Sequence, residues 1–282
     1  MLQARDIVVV HSSDLHMDHD YTARLHGGDG TAGLASVLSA ARAVGADIVV
    51  LAGDTFDCHR VPPVLLERAA ALISAAALPV VLLPGNHDPA VADAVYHNQA
   101  LARLDNLHVL GITHEEAVTF ADIDLEIWGR AHRDYGDMMP FERLRPRSTR
   151  WQIAVAHGHY VPVPDRTSRL RPSWLIGDDD LKAAAADYIS LGHWNRAAKV
   201  GTVAAYYSGS PEYAGTINVV RLSGDGDVAV NARGARDCAR AVGGRLDQAT
   251  RSGRTAVGFT CAIASLSVAR LRRPRNCSTP AR

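Results

Sequence analysis

Five polar clusters fall in order along this chain: Asp14-Leu15-His16, Gly53-Asp54, Gly85-Asn86-His87-Asp88, His157 and Gly192-His193. Nearly every one follows a run of apolar residues, Ile7–Val10 before the first, Ile48–Leu51 before the second and Val80–Leu83 before the third. Clusters at the ends of hydrophobic strands put carboxylate, imidazole and amide groups on one rim of a sheet. Together they offer enough oxygen and nitrogen ligands for two metal ions sharing one carboxylate, an arrangement suited to phosphate-ester hydrolysis.

The elements that must position these groups are legible in the hydrophobic pattern. The runs at 7–10, 48–51 and 80–83 are short and fully apolar, as buried parallel strands are. Between them Leu34–Val44 and Leu65–Ala76 carry helical spacing, Gly45 ends the first helix, and Ala90–Arg103 reads as a third helix. This βαβαβ alternation predicts a parallel sheet with right-handed crossovers, whose ligand site lies beyond the carboxyl ends of the strands. Asp14, Asp54 and Asn86 occupy that edge. From His108 onward the pattern changes to strands: 108–110, 118–120, 125–128, 153–156, 188–191, 204–207, 217–222 and 228–230. Polar stretches at Ala131–Arg150 and Val161–Pro172 interrupt them. The expected fold class is α/β, with two facing mixed β-sheets flanked by helices in a four-layer sandwich.

Composition narrows the class. The chain has 282 residues, 47% hydrophobic and 21% charged, enough for a substantial core in one large domain. Its formal charge is zero, yet residues 232–282 hold 11 Arg, no Lys and only Asp237 and Asp247, a net of +9 that leaves residues 1–231 at −9. An acidic catalytic part does not offer a broad basic groove for duplex nucleic acid. The expected organisation is a catalytic domain over 1–231 and a basic, poorly ordered extension over 232–282. The four cysteines form no C-x-x-C pair, and a disulfide framework is not expected. No stretch reaches the roughly 20 apolar residues of a membrane span, and no leader precedes the first strand, so a cytoplasmic protein without membrane association is expected.

The ordered set D-x-H, G-D-x-x-D, G-N-H-D, H and G-H-x-[H/N] resembles the calcineurin-like metallophosphoesterases over roughly residues 5–222. Ser12–His16, Gly53–Asp57, Pro84–Pro89 and Tyr207–Glu212 look most like the DNA-repair exonuclease branch, which includes the nuclease subunit of SbcCD. The resemblance implies that Asp14 and His16 bind a first metal, that Asp54 bridges both, and that Asn86, His157 and His193 hold the second. It implies a metal-bridging hydroxide that attacks phosphorus, with His87 as proton donor to the leaving oxygen and Asp88 as the partner fixing its ring. The donor set suits two divalent ions, Mn²⁺ foremost, then Fe or Zn²⁺. One departure stands out: Asn195 occupies the place of a first-metal histidine, which implies a weaker first site. Asp57 reads as support for the Asp54 loop, and His26, His59 and His132 as ordinary core or surface residues.

The implied activity is hydrolysis of phosphodiester bonds, on nucleic acid or nucleotides. The alternatives are a phosphomonoesterase or a cyclic-nucleotide or small-molecule diesterase, and, more remotely, a catalytically weakened binding scaffold. The branch works with a coiled-coil ATPase and carries a DNA-capping domain, but nothing after Leu222 in this sequence indicates either.

Overall fold

The computed structural model describes residues 5–136, 138–165 and 174–238. The first half alternates strand and helix. Strand β1 (Ile7–Ser12) leads through a short helix α1 (Asp20–Leu25) to α2 (Ala32–Ala43), then to β2 (Ile48–Ala52), α3 (Pro63–Ala76) and β3 (Val80–Leu83). A small helix α4 (Gln99–Ala102) precedes β4 (Leu107–Val109). The second half is mostly strands: β5 (Ala117–Phe120), β6 (Leu125–Trp128), β7 (Trp151–His157), β8 (His159–Tyr160) and β9 (Leu175–Ile176). After helix α5 (Asp178–Ala183) come β10 (Tyr188–Gly192), β11 (Ala197–Val200), β12 (Ala205–Ser208), β13 (Thr216–Leu222) and β14 (Val228–Gly234).

These strands build two mixed six-stranded sheets, in the orders β14-β13-β1-β2-β3-β4 and β11-β12-β10-β7-β6-β5. β1, β2, β3 and β4 run parallel, as do β6, β7, β10 and β12. Strand alternation explains the layering. Ile7 and Val9 of β1, Ile48 and Val50 of β2, and Val81 and Leu83 of β3 face the other sheet, meeting Leu125, Ile127, Ile153, Val155 and Tyr188. Their neighbours Val8, Val10, Val49, Leu51, Val80 and Leu82 point outward, onto Leu34, Val37 and Leu38 of α2 and Leu66 and Ile73 of α3. The far face of the second sheet is covered by Leu181 and Ala184 at α5, with Ile176 and Phe141. The expected helix–sheet–sheet–helix sandwich is therefore what forms.

Three local expectations differ. The helix expected over Ala90–Arg103 is only a 3-10 turn at Val95–His97 followed by α4. Asn98 is extended, at φ −60° and ψ 132°, and its side chain accepts from Ala100 N–H, a local bond that competes with helix continuation. Ala90 N–H is spent on His132 O, 2.6 Å away, which ties this segment to the loop after β6. The last strand does not stop at Val230: β14 pairs with β13 through Gly234, and Ala235 and Cys238 lie in the core. The boundary placed after Asn231 thus falls inside a strand, and the residues beyond Cys238 lie outside the described residues. Finally, α5, β8, β9 and β11 form where the sequence pattern shows no element. Among the described residues no helix is long and apolar enough to cross a membrane.

Candidate metal centre

The carboxyl ends of β1, β2, β3, β7 and β10 meet at one edge of the sandwich. Asp14 and His16 follow β1, Asp54 follows β2, Asn86 and His87 follow β3, His157 ends β7, and His193 follows β10. Four of these seven hold left-handed backbone, with φ of 54° at Asp14, 43° at His16, 51° at Asp54 and 106° at His193. Non-glycine residues rarely adopt such angles, at a cost of about 1–3 kcal/mol each, and when they do they cluster at functional sites. The turns are over-determined by their neighbours: Asp14 N–H donates to Gly53 O at 3.0 Å and His16 N–H to Asp54 O at 3.1 Å. Ser210, in the late Gly209–Glu212 turn, adds a bond from its hydroxyl to Asp14 O at 2.8 Å.

Asp54 is the shared member. Ligand atoms of Asp14, His16 and Asp54 lie within 4.8 Å of one another, and so do those of Asp54, His157 and His193. One Asp54 oxygen stands 3.1 Å from His157 Nε2 and 3.8 Å from His16 Nε2, while the other accepts from His87 N–H at 2.9 Å. Asn86 Oδ1 is 3.0 Å from the same His157 nitrogen. Asp14 accepts from His193 N–H at 3.0 Å, so the two sheets are joined across the site. Gly53, at φ +90°, permits this closeness: a Cβ there would lie 2.2 Å from His157 Nδ1.

Electrostatics follow from packing so many groups in a buried space. Burial opposes charge on Asp54, but His157, His16 and His87 outweigh it and hold its carboxyl well below the usual range. Burial raises Asp14, with Asp54 pushing the same way. On His157 burial disfavours the proton, yet Asp54 wins and holds the pKa up at about 9. Burial, helped by His157, pushes His193 down to about 3, which leaves a neutral imidazole able to donate a lone pair.

The donor set fits divalent cations on one geometric observation. His157 Nδ1 is 2.8 Å from Ala52 O, so the proton sits on Nδ1 and donates to that carbonyl. Its Nε2 lone pair then faces two acceptors, Asp54 Oδ2 and Asn86 Oδ1. Three acceptors converging on one point require a positive charge among them, either a proton or a metal ion. Carboxylate, imidazole and amide oxygen are the ligands that divalent transition ions accept.

The remaining sequence-predicted residues divide. His87 is the exposed imidazole of the cluster, its side chain 44% accessible. Asp88 does not orient it. Asp88 is fully buried and turned inward, accepting from Gly85 N–H at 2.7 Å, Phe56 N–H at 3.0 Å and the Tyr96 hydroxyl at 2.5 Å. Burial and the nearby Asp54 push its pKa up to about 6. The partner of His87 is Asp57, whose Oδ1 lies 3.2 Å from His87 Nδ1 and 3.1 Å from His16 Nδ1. Those two bonds, and the imidazolium charges behind them, outweigh burial and hold the Asp57 carboxyl below its ordinary range. His87 feels the converse: burial is overcome by Asp57 and Asp54, and its pKa rises to about 10. The G-D-x-x-D spacing contained this signal, because three residues after Asp54 the loop returns to the same rim.

Asn195 stands on the exposed turn after His193, lining an opening with His193, Trp194 and Arg196, and its backbone carbonyl accepts from Ser210 N–H at 3.3 Å. His132, unremarkable in the sequence, lies fully buried beneath the site and donates from Nε2 to His157 O at 2.8 Å. His159 accepts from Trp194 Nε1 at 3.0 Å. His26 pairs with the buried Glu212 of the late turn, and Asp18 accepts from Cys58 N–H at 3.2 Å, tying the first loop to the second.

Fold and site together define a metallophosphoesterase-type hydrolase. Residues 7–211 match the calcineurin-like phosphoesterase family, and the chain belongs to that family. It is 27% identical over 204 residues to the nuclease subunit of SbcCD from Bacillus subtilis (strain 168), a match covering 58% of this chain and 51% of that protein. The chain thus spans about half the length of that curated relative. Among solved structures, TT1561 of Thermus thermophilus superposes with a TM-score of 0.52 at 12% identity, covering 82% of this chain and 99% of that one. A second crystal structure gives a TM-score of 0.51 at 13% identity, covering 80% and 98%. At such identities these two show the shared fold.

Proposed function

We propose that this protein is a two-metal phosphodiesterase acting on nucleotides or nucleic acid. The observation that carries the reading is Asp54, a single buried carboxylate common to two converging donor groups. In this reading Asp14, His16 and Asp54 hold one divalent ion, and Asp54, Asn86, His157 and His193 hold the other, with Mn²⁺ the ion best suited to this mixture of donors. When bound, such a pair supplies Lewis-acid charge to the phosphoryl oxygens and acidifies water for attack on phosphorus at neutral pH.

The chain's own groups do the rest. His87 is exposed beside the donors, so its imidazolium can donate a proton to the leaving oxygen. Asp57 fixes the His87 ring through Nδ1, which leaves Nε2 as the nitrogen that faces the substrate. The same carboxylate holds His16 with its Nε2 toward Asp54, so one residue sets both a ligand and the proton donor. His87 N–H in turn holds Asp54 Oδ1. Asn195 takes the place of a ligand on the first ion. An amide oxygen binds transition ions less firmly than imidazole, so titration with Mn²⁺ should resolve two unequal sites, and two equally tight ones would remove Asn195 from this role. The likeness to the SbcCD nuclease subunit supports a phosphodiester of nucleic-acid type.

The deciding experiment is hydrolysis of bis-p-nitrophenyl phosphate beside p-nitrophenyl phosphate with Mn²⁺, for the wild type and Asp54→Asn. Diester cleavage that vanishes in the variant supports the reading. Preference for the monoester moves it to a phosphatase, and no turnover of either despite bound metal moves it to a binding scaffold.

A further inference from the structure

A cleft of about 720 Å³ opens beside the donor cluster, lined by Asn86 and His87 and, away from the metal ligands, by His59, Arg60, Val91 and Tyr135. None of the last four belongs to the chemistry above. Tyr135 is 65% exposed, unusual for a tyrosine inside a concave site. Its ring stands edge-on to His59, with centroids 6.4 Å apart and planes at 63°. His59 is itself fixed, since its Nδ1 accepts from Val95 N–H at 3.2 Å, which places the ring proton on Nε2. Arg60, the next residue, is exposed and makes no ion pair among the described residues.

We propose that this cleft is the subsite for the nucleoside of the substrate, and that Tyr135 is a specificity-determining residue whose ring stacks on the base. The inference rests on the phosphodiesterase reading for its phosphate and extends it to the group the phosphate carries. A flat aromatic wall and an exposed guanidinium with no ion pair among the described residues match a planar ring attached to an anion. An aliphatic ester uses no aromatic wall. The volume falls within the roughly 300–1,000 Å³ of small-molecule sites, enough for one nucleoside unit and too small for a duplex.

The test is calorimetric binding of thymidine 5′-phosphate and of methyl phosphate to the full chain with Mn²⁺, for the wild type, Tyr135→Ala and Tyr135→Phe. The wild type should prefer the nucleotide. Tyr135→Ala should lower the ratio of the two affinities by roughly 10-fold, the scale of one base–aromatic stack, and Tyr135→Phe should retain it. No preference in the wild type, or a preference retained in Tyr135→Ala, overturns the subsite. Because the readout is binding, loss of the hydrolase reading appears separately, as a wild type that prefers thymidine 5′-phosphate yet cleaves no diester.

Discussion

Gly53→Ala probes how tightly the second sheet presses on the turn that carries Asp54. Two costs add at this position. The backbone sits at φ +90°, where an L side chain costs about 1–2 kcal/mol. The new Cβ would also lie 2.2 Å from Nδ1, 2.5 Å from Cγ and 2.9 Å from Cβ of His157. That ring has nowhere to retreat: it is fully buried, its Nδ1 is held by Ala52 O at 2.8 Å, and Asp54 and Asn86 flank its Nε2. Forcing a methyl group into a packed site costs about 1–3 kcal/mol. Gly45→Ala provides the control, since Gly45 has φ +63° and open space within 4 Å of an added Cβ. It carries the backbone cost without the crowding, so Gly53→Ala should be less stable than Gly45→Ala by about 1–3 kcal/mol in urea unfolding.

Metal dependence sharpens the comparison. An ion that binds the folded chain raises its stability by an amount set by its affinity. With His157 a metal ligand, as proposed, displacing it weakens that affinity, so added Mn²⁺ should raise the urea midpoint of Gly45→Ala much more than that of Gly53→Ala. Equal stabilities for the two variants, together with equal Mn²⁺ responses, would refute the close packing of His157 against the Asp54 turn.

Three further outcomes are expected. Asp57→Asn should cut kcat by about 10- to 100-fold, the scale for residues that orient ligands and proton donors, while Asp88→Asn should act chiefly on stability; the reverse pattern in kinetics and urea unfolding would restore Asp88 as the partner of His87. Burial pushes His11 down to about 3, so its neutral form stabilises the fold fully above pH 6.5, and that contribution falls by about 1.4 kcal/mol per pH unit between 6.5 and 3. Urea midpoints measured from pH 7.5 to 5 should therefore slope less in His11→Gln than in the wild type, and parallel slopes would exclude His11 as the source. A chain ending at Cys238 should keep its hydrolysis, whereas one ending at Asn231 loses the end of β14 and two buried side chains and should unfold at least about 1–2 kcal/mol sooner in urea.

The sandwich and the gathering of the candidate site residues at its edge were legible because both rest on local pattern. A short, fully apolar run rich in β-branched residues, such as Ile48–Ala52, reads as a buried strand, and a carboxylate just beyond it emerges at the strand's carboxyl end. Short elements gave no such signal. α5 has Leu181 as its only buried residue, too little to show a helical period, and β8 and β9 are two residues each. Asp88 defeats the sequence reading because adjacency along the chain is not adjacency in space. In the turn after β3, His87 faces outward while Asp88 faces inward to Gly85, Phe56 and Tyr96, and the partner for His87 arrives from the β2 loop instead.

The deeper limit lies in the backbone. Residue types and order name Asp14, His16, Asp54 and His193 as donors, but their left-handed φ values are what bend the chain so that the donors converge. Asp and His enter that region several-fold more often than most side chains, yet it remains the less favoured one for them, so the residue types permit these angles without dictating them. The angles are held by bonds between loops distant in sequence, Asp14 N–H to Gly53 O, His16 N–H to Asp54 O and His193 N–H to the Asp14 carboxylate. Each turn is therefore stable only when its neighbour is formed. The site must assemble cooperatively with the packing of the two sheets, and this is why its chemistry is local in sequence while its geometry is not.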